Sequence, residues 1–484
     1  MSATRLAALC TLLSLLVFGA ALPQQQQQLS TSAHAYPTAG LPHADPTRSF
    51  WVHSPNANRL ATEGSTGPLT DAADVCIIGS GITGGSAAWH LARAVRNGRF
   101  GKGKVRAVVL EARDFSSGAT GRNGGNLTPY EYQNFVKMQE RFGSAEALRH
   151  YAVEDFSATE MVRIAREGGW ADAVDVVEGG HIDVILTEER LADLQANVAA
   201  VKAAGREANV TWLSREEMNK TYGTYNWGLR SRGYNFWPLK FVNELFLEAN
   251  ATTPRLDLRL HTHTPVTKVF PSTSDDARWE LQSPRGAIQC GSVLHATNGY
   301  ASHLLPQYAG PEGIVPVRGQ VIATRASAPL SALTKASWAG NSGYWFPRPV
   351  SSPSEHPLIV LGGAREDADP PFEVDTTDDS VLNSKVGKSL RAFLPALFPR
   401  YYDPETEPHM EWTGIMGYTA LDVPFVGRVP GLRGQYISAG YAGHGMPRAY
   451  ACAKVAIEMI VAAAAGRTYY PPPWFPRSFM TVDA

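Results

Sequence analysis

Residues Val75–Gly85 constrain this chain more than any other stretch, because they read Val-Cys-Ile-Ile-Gly-Ser-Gly-Ile-Thr-Gly-Gly. A short apolar strand, Val75–Ile78, runs into glycines spaced G-x-G-x-x-G, and the helix Ser86–Val95 follows with Ala and Leu on its buried face. Each glycine has its own task at a pyrophosphate. Gly79 permits the tight turn, Gly81 lets the backbone approach the phosphates, and Gly84 allows the helix to pack closely on the strand. The helix start adds free N–H groups and a positive dipole end. A second strand, Val105–Leu110, ends at Glu111, whose carboxylate suits ribose hydroxyls. Glu111 lies 27 positions beyond Gly84, a spacing lengthened by the Gly/Lys-rich turn Asn97–Lys104. Strand, turn, helix and acidic residue in this order predict a dinucleotide site.

The chain has 484 residues, 44% of them hydrophobic, enough for two or three domains. Its 44 basic and 45 acidic residues leave a net charge of −1, which argues against nucleic acid as a partner. Arg5 precedes an apolar run, Leu6–Leu22, that ends in Gly19, Ala20 and Ala21 before Pro23. This pattern is that of a secretory signal peptide over residues 1–21, with a single membrane anchor as the competing reading. No stable membrane insertion is expected, and the expected location is secreted or within the secretory pathway. Glycosylation sequons stand at Asn126, Asn209, Asn219 and Asn250, of which Asn126 is expected to stay unmodified because it falls in a ligand loop. The cysteines Cys10, Cys76, Cys290 and Cys452 show no metal or redox spacing, so no disulfide scaffold is expected and Cys76 reads as a small apolar strand residue.

Residues 22–72, rich in Gln, Pro, Ser, Thr and His, predict an extended or disordered leader that wraps or precedes the domain. Beyond Ala73 the pattern alternates helix and strand. Amphipathic stretches over Ala145–Glu167 and Glu188–Ala204 flank the strand candidate Gly180–Leu186. Strands are expected within 256–270, 287–297, 314–325 and 357–364, and a last helix over Pro447–Ala465. The fold class is therefore α/β, or mixed α+β, with nucleotide-binding pieces near both ends of the chain.

Two further segments carry chemistry. Ser117-Gly-Ala-Thr-Gly-Arg-Asn-Gly-Gly125 sets small residues on either side of Arg122, making a loop whose backbone can lie against a flat ring or a phosphate. Tyr436-Ile-Ser-Ala-Gly-Tyr-Ala-Gly-His-Gly-Met446 is again a strand leading through glycines to a helix start, suited to an electron-rich ring edge. Together with the first turn, these segments resemble the FAD-dependent oxidoreductases of the D-amino-acid oxidase superfamily. The Ser117–Gly125 block is especially like the branch containing γ-glutamylputrescine oxidase and related fungal proteins. Leu294–Tyr300, Val315–Gln320, Gly343–Pro347 and Trp412–Tyr418 also match, so the resemblance covers roughly residues 50–465.

The resemblance implies a discontinuous Rossmann-like FAD-binding domain over 73–145, 240–305 and 410–465, and a mixed-sheet substrate domain over 146–239 and 306–409, before a Pro-rich tail, 466–484. It implies FAD contacts from Ala112 and Arg113 after Glu111, from Ala119, Thr120, Arg122, Asn123, Gly124 and Gly125 in the second segment, and from Val266, Thr297 and Asn298. Gly414, Gly440, Gly443, His444, Gly445 and Met446 complete the expected FAD set. The implied reaction removes a hydride from a carbon bearing nitrogen, leaving an imine, with dioxygen reoxidising the flavin to give hydrogen peroxide.

Three departures shape the substrate reading. Where amino-acid oxidases of this family place an Arg for the substrate carboxylate, and sarcosine oxidases a Cys bonded to FAD, this chain has Met416. Non-covalent FAD and an amine or amino-acid-like substrate are therefore expected, with the weight on amines. The lysine that promotes reaction with dioxygen in sarcosine oxidases is replaced by Val360, with Arg365 the nearest cation. Arg318, Tyr344, Trp345, Tyr418 and His444 are candidates for the flavin's substrate face. Core packing for Tyr344 and Trp345, a structural bond for His444 and a domain junction for Arg318 are the alternatives. No metal cluster and no Ser/His/Asp set competes. A nicotinamide-dependent dehydrogenase and a non-catalytic FAD-binding protein remain open, as does the choice between catabolism and a tailoring step in a natural-product pathway.

Overall fold

The computed structural model describes residues 36–274, 278–340 and 342–481. The signal-peptide reading, and Cys10 with it, lies outside the described residues. Two eight-stranded sheets organise the chain.

In the first sheet the order is Phe425–Arg428, Gln435–Ala439, Gly286–His295, Ala72–Ile78, Val105–Leu110 and Leu256–His261. From Gln435–Ala439 to Leu256–His261 every neighbour is parallel, which requires both faces to be covered and explains runs such as Val-Cys-Ile-Ile. The helices Ile82–Arg96, Pro238–Ala251 and Ala449–Ala464 supply one cover, packing through small residues. Gly85 is one such point, since a Cβ there would lie 2.5 Å from Val242 Cγ1. Pro238 opens its helix at the first position, where its missing N–H costs nothing. Trp279–Ser283 and Lys268–Pro271 add an antiparallel arm to Gly286–His295.

The second sheet runs Met410–Tyr418, Val315–Arg325, Leu358–Gly363, Gly343–Pro347, Ser337–Gly340, His181–Ile185, Trp227–Ser231 and Thr211–Leu213. Only the Ser337–Gly340 and His181–Ile185 pair is parallel, so the sheet is mixed. Met410–Tyr418 belongs to this sheet, although residues 410–465 read as part of the nucleotide-binding unit.

Two corrections come from long-range packing. Cys76 and Cys290 form a disulfide across neighbouring parallel strands, 214 residues apart in sequence. Cys76 is thus more than an apolar strand residue; its partner is set by strand order, which no local spacing encodes. The leader is also built into the fold over its described part. Phe50–His53 is a helix capped by Ser49, and Phe50, Trp51 and Val52 are buried in one cluster with Trp237 and Phe346. At the other end Phe475 and Phe479 are buried in the core beneath the first sheet's helices. Among the described residues, no helix is long and apolar enough to cross a membrane.

Candidate active site

A cavity of about 520 Å³ lies where the C-terminal ends of the first sheet's parallel strands face the second sheet. This is the expected ligand position for an open parallel sheet, and the volume is that of a cofactor or small-molecule site.

At the first turn, Gly79 (φ 101°) and Gly81 line the cavity, whereas Gly84 lies behind them. A Cβ on Gly84 would sit 1.9 Å from the Gly79 carbonyl oxygen, so its role is packing of helix on strand. Glu111 reaches the turn directly. Its Oε2 accepts from Ser80 N at 3.0 Å and Ser80 Oγ at 2.7 Å, and its Oε1 accepts from Arg113 N at 3.1 Å. Ala112, Arg113 and Val266 line the same end.

The Arg122 loop is tied down from behind. The carbonyls of Gly121, Arg122 and Asn123 accept in turn from Ser49 Oγ, Trp412 Nε1 at 2.9 Å and Trp51 Nε1 at 2.5 Å. Ala119, Thr120, Arg122, Asn123, Gly124 and Gly125 all reach the cavity wall. The Arg122 guanidinium, expected to serve the ligand, is largely committed to protein. Nε donates to Ser117 O, and Nη1 donates to Thr413 O and Thr47 Oγ1. Asp379, a residue not singled out in the sequence, accepts twice from Arg113 Nη1, at 2.9 and 3.0 Å, and lies 3.5 Å from Arg122 Nε. All three side chains are buried. Burial pulls Arg122 down to about 10, with Asp379 opposing and Arg113 adding to the fall.

The third segment closes the opposite wall. Asn298 (φ 45°) lines the cavity beside Thr297, and its Oδ1 accepts from Gly440 N at 3.0 Å. Gly440 therefore holds the turn from outside the cavity, while Gly443, His444, Gly445 and Met446 line it. His444 stacks on Tyr130 with ring centroids 4.1 Å apart, and its Nε2 lies 3.0 Å from Glu154 Oε2. Glu154 is fully buried and also accepts from Tyr130 N at 2.7 Å and Arg448 Nε at 2.8 Å. Burial raises its pKa, but His444 and Arg448 outweigh that and bring it to about 2. Facing a carboxylate, Nε2 is the ring nitrogen that carries a hydrogen.

The candidates for the substrate face separate. Tyr344 lines the cavity; its ring spans from Gly362 to Gly124, since a Cβ on either glycine would meet it within 2.4 Å. It keeps 36% of its surface open because it faces the cavity, and burial of its hydroxyl raises the pKa to about 12. Trp345 does not face the cavity: it is 2% exposed and stacks on Trp338 in the second sheet's core. Adjacent strand residues point to opposite faces, so one of this pair was bound to leave. Arg318 also lies off the cavity, held by both Glu373 oxygens and Asp378 O. Tyr418 sits behind Gly443 and accepts from Arg365 Nη1. Val360 is buried in an apolar cluster. Gly414 lines the cavity with its Cα against the Arg122 side chain, and Met416 reaches the wall between Gly319 and Gly443.

Other wall residues went unnoticed in sequence: Gly40–Pro42 of the leader, Tyr130, Gln133, His181 and Asp183. The last two had a legible signal, being polar at positions two apart in a short strand. Cys452 is buried, and no group of His, Cys, Asp and Glu among the described residues is arranged to hold a metal.

The set of unpartnered polar atoms fits FAD. Arg122 Nη2, Arg113 Nε, Asn126 Oδ1 and Thr297 Oγ1 are buried at the cavity residues without a protein partner. Gly81 caps its helix without a side-chain bond of its own, and of the first amides Ile82 N donates to Thr120 Oγ1 at 2.8 Å, so a phosphate would meet the helix start beside that bond.

Known proteins agree. Residues 74–459 match the FAD-dependent oxidoreductase family DAO. The chain is 24% identical to the oxidoreductase OrdL of Rhizobium meliloti over 81% of its length and 84% of that protein's. It is 26% identical to the γ-glutamylputrescine oxidoreductase of Escherichia coli K12, covering 80% and 83%. Among solved structures, glycine oxidase from Geobacillus kaustophilus superposes with a TM-score of 0.64 at 19% identity, over 86% of this chain and all (100%) of that one. With its cofactor turn, Glu111 and the two later glycine segments gathered on one cavity, this chain belongs to the DAO family of FAD-dependent oxidoreductases.

Proposed function

We propose that this protein oxidises a C–N bond of a small amine, using non-covalently held FAD. One observation carries the reading: Met416 stands on the cavity wall, and the two arginines that line the cavity, Arg113 and Arg122, are engaged by Asp379. A methionine offers neither a bidentate partner for a substrate carboxylate nor a sulfur able to bond to a flavin ring. FAD, when bound, would supply the two-electron chemistry by which amine and dioxygen become imine and hydrogen peroxide. The protein's part is placement. Glu154 fixes the His444 ring and Tyr130 covers its face, so His444 Nδ1 is positioned to accept a proton or hydrogen bond at the cavity wall. Tyr344 walls the opposite side and narrows the volume around the reacting carbon.

Export through the secretory pathway is part of the same proposal. The Cys76–Cys290 disulfide suits an oxidising compartment. Asn209, Asn219 and Asn250 are exposed, as glycosylation would require, whereas Asn126 faces the cavity. A tailoring role in a fungal natural-product pathway is compatible with this chemistry.

The test has two stages. Acid precipitation should release all flavin to the supernatant; flavin left in the pellet would refute non-covalent binding. Anaerobic mixing with amines, with and without carboxylates, should bleach the flavin best with the carboxylate-free series. Strong preference for amino acids would overturn the amine assignment.

A further inference from the structure

A row of residues crosses the second sheet above the cavity. Register pairs Asp183 with Ala339, Ala339 with Tyr344, Tyr344 with Gly362, and Gly362 with Val321. Paired residues share a face, and Asp183, Ala339, Tyr344 and Val321 all line the cavity. At a strand spacing of about 4.8 Å, Asp183 is about 10 Å from Tyr344 along this row and about 19 Å from Val321. The middle of the row is small: Ala339 lines the cavity, and Gly362 lies against the Tyr344 ring.

Asp183 is a carboxylate without a cation. It is 7% exposed. Tyr132 Oη donates to its Oδ2, and His181 Nε2 stands 3.7 Å from the same oxygen. Oδ1 receives no hydrogen bond from the described residues. His181 is held by Ser337 Oγ at 2.8 Å through Nδ1, and burial lowers its pKa, with Asp183 opposing, so it stays neutral near pH 7. The other charged groups on the wall are engaged elsewhere: Arg113 and Arg122 with Asp379, Glu111 with the Ser80 turn, His444 with Glu154. A buried carboxylate left unpaired is costly, and a cationic ligand group removes that cost.

We infer that Asp183 receives a second, non-reacting ammonium of the substrate, so the preferred substrates are diamines or amines with an additional basic nitrogen. This deepens the amine-oxidase reading and rests on it. The ammonium at Asp183 is not the one oxidised. A carboxylate contact favours the protonated amine, whereas hydride loss from the neighbouring carbon needs the nitrogen lone pair.

The holoenzyme decides. α,ω-Diamines of four to eight carbons and n-alkylamines of the same lengths are compared by anaerobic flavin bleaching, in wild type and Asp183→Asn. Asn keeps an acceptor for Tyr132. The best diamine should exceed its monoamine by about tenfold to a hundredfold in kcat/KM, mainly through KM. D183N should abolish that ratio. As an equilibrium readout, guanidinium, which has no C–H to oxidise, should perturb the wild-type flavin spectrum at concentrations where urea does not. That selectivity should vanish in D183N. Equal rates for diamine and monoamine in wild type, or a ratio retained in D183N, overturns the inference while leaving amine oxidation intact. Bleaching by no amine, with Asp183-dependent guanidinium selectivity, would keep the cation subsite and refute amine oxidation instead. Bleaching by no amine, with guanidinium and urea alike, removes both. If D183N fails to fold, the wild-type ratio and the wild-type selectivity decide.

Discussion

Replacing Glu154 with Gln tests the electrostatics of the cavity wall. The carboxylate is completely enclosed, and its three partners are His444, Arg448 and the Tyr130 amide. Burial alone would raise its pKa; His444 and Arg448, set against it, bring it from 4.5 to about 2. At about 1.4 kcal/mol for each tenfold in proton affinity, the ionised form contributes about 3 kcal/mol to the folded state at pH 7. That is also the lower end for breaking a buried ion pair from one side. The sign follows from the depressed pKa. The contribution is full above pH 4.5, declines by about 1.4 kcal/mol per pH unit below it, and is gone near pH 2. Urea denaturation of wild type and E154Q should therefore differ by about 3 kcal/mol at pH 7, and by about 1.4 kcal/mol less at pH 3.5. Because Glu154 also holds His444, the flavin absorbance envelope should shift in E154Q at pH 7. Equal stabilities at pH 7, or a gap that stays constant down to pH 3.5, would refute the account.

Three further outcomes are expected. Gly84→Ala would set a Cβ 1.9 Å from the Gly79 carbonyl oxygen; the purified protein should hold on the order of a tenth or less of the wild-type flavin per chain, measured by absorbance ratio. Met416→Arg should restore a carboxylate partner on the wall and raise kcat/KM for an amino acid relative to the matching amine by about tenfold; no change would mean that Met416 does not face the substrate. Replacing both Cys76 and Cys290 with Ala opens a loop of 214 residues and should cost about 2–5 kcal/mol in urea denaturation, with reductant lowering the wild-type midpoint towards the variant's.

What could be read from the sequence was chemistry needing contiguous spacing. The turn at Gly79–Gly84 followed by Glu111 announces its ligand because pyrophosphate and ribose lie a fixed distance apart along one βα unit. The strand Val105–Leu110 comes out residue for residue, since its run is apolar and buried at every position but Arg106. Arg122 was visible as a loop arginine, but not its engagement by Asp379, 257 positions further on. Glu154 was hidden inside an amphipathic helix, where a carboxylate reads as a solvent-facing residue until Arg448 and His444 are brought against it. Tyr344 and Trp345 were indistinguishable because strand parity is unknown until the sheet is assembled.

The hydrogen bonds from Ser49 and Trp51 to the carbonyls of the Arg122 loop bear on where this protein begins as a cooperative unit. The family match opens at residue 74, so both donors lie upstream of the matched residues. A version trimmed to residues 74–459 would keep every motif yet strip two of the three bonded carbonyls and uncover Trp237. The matched portion by itself thus lacks part of the backing that fixes this loop. Any graft of this cofactor loop into another scaffold must bring its N-terminal buttress along.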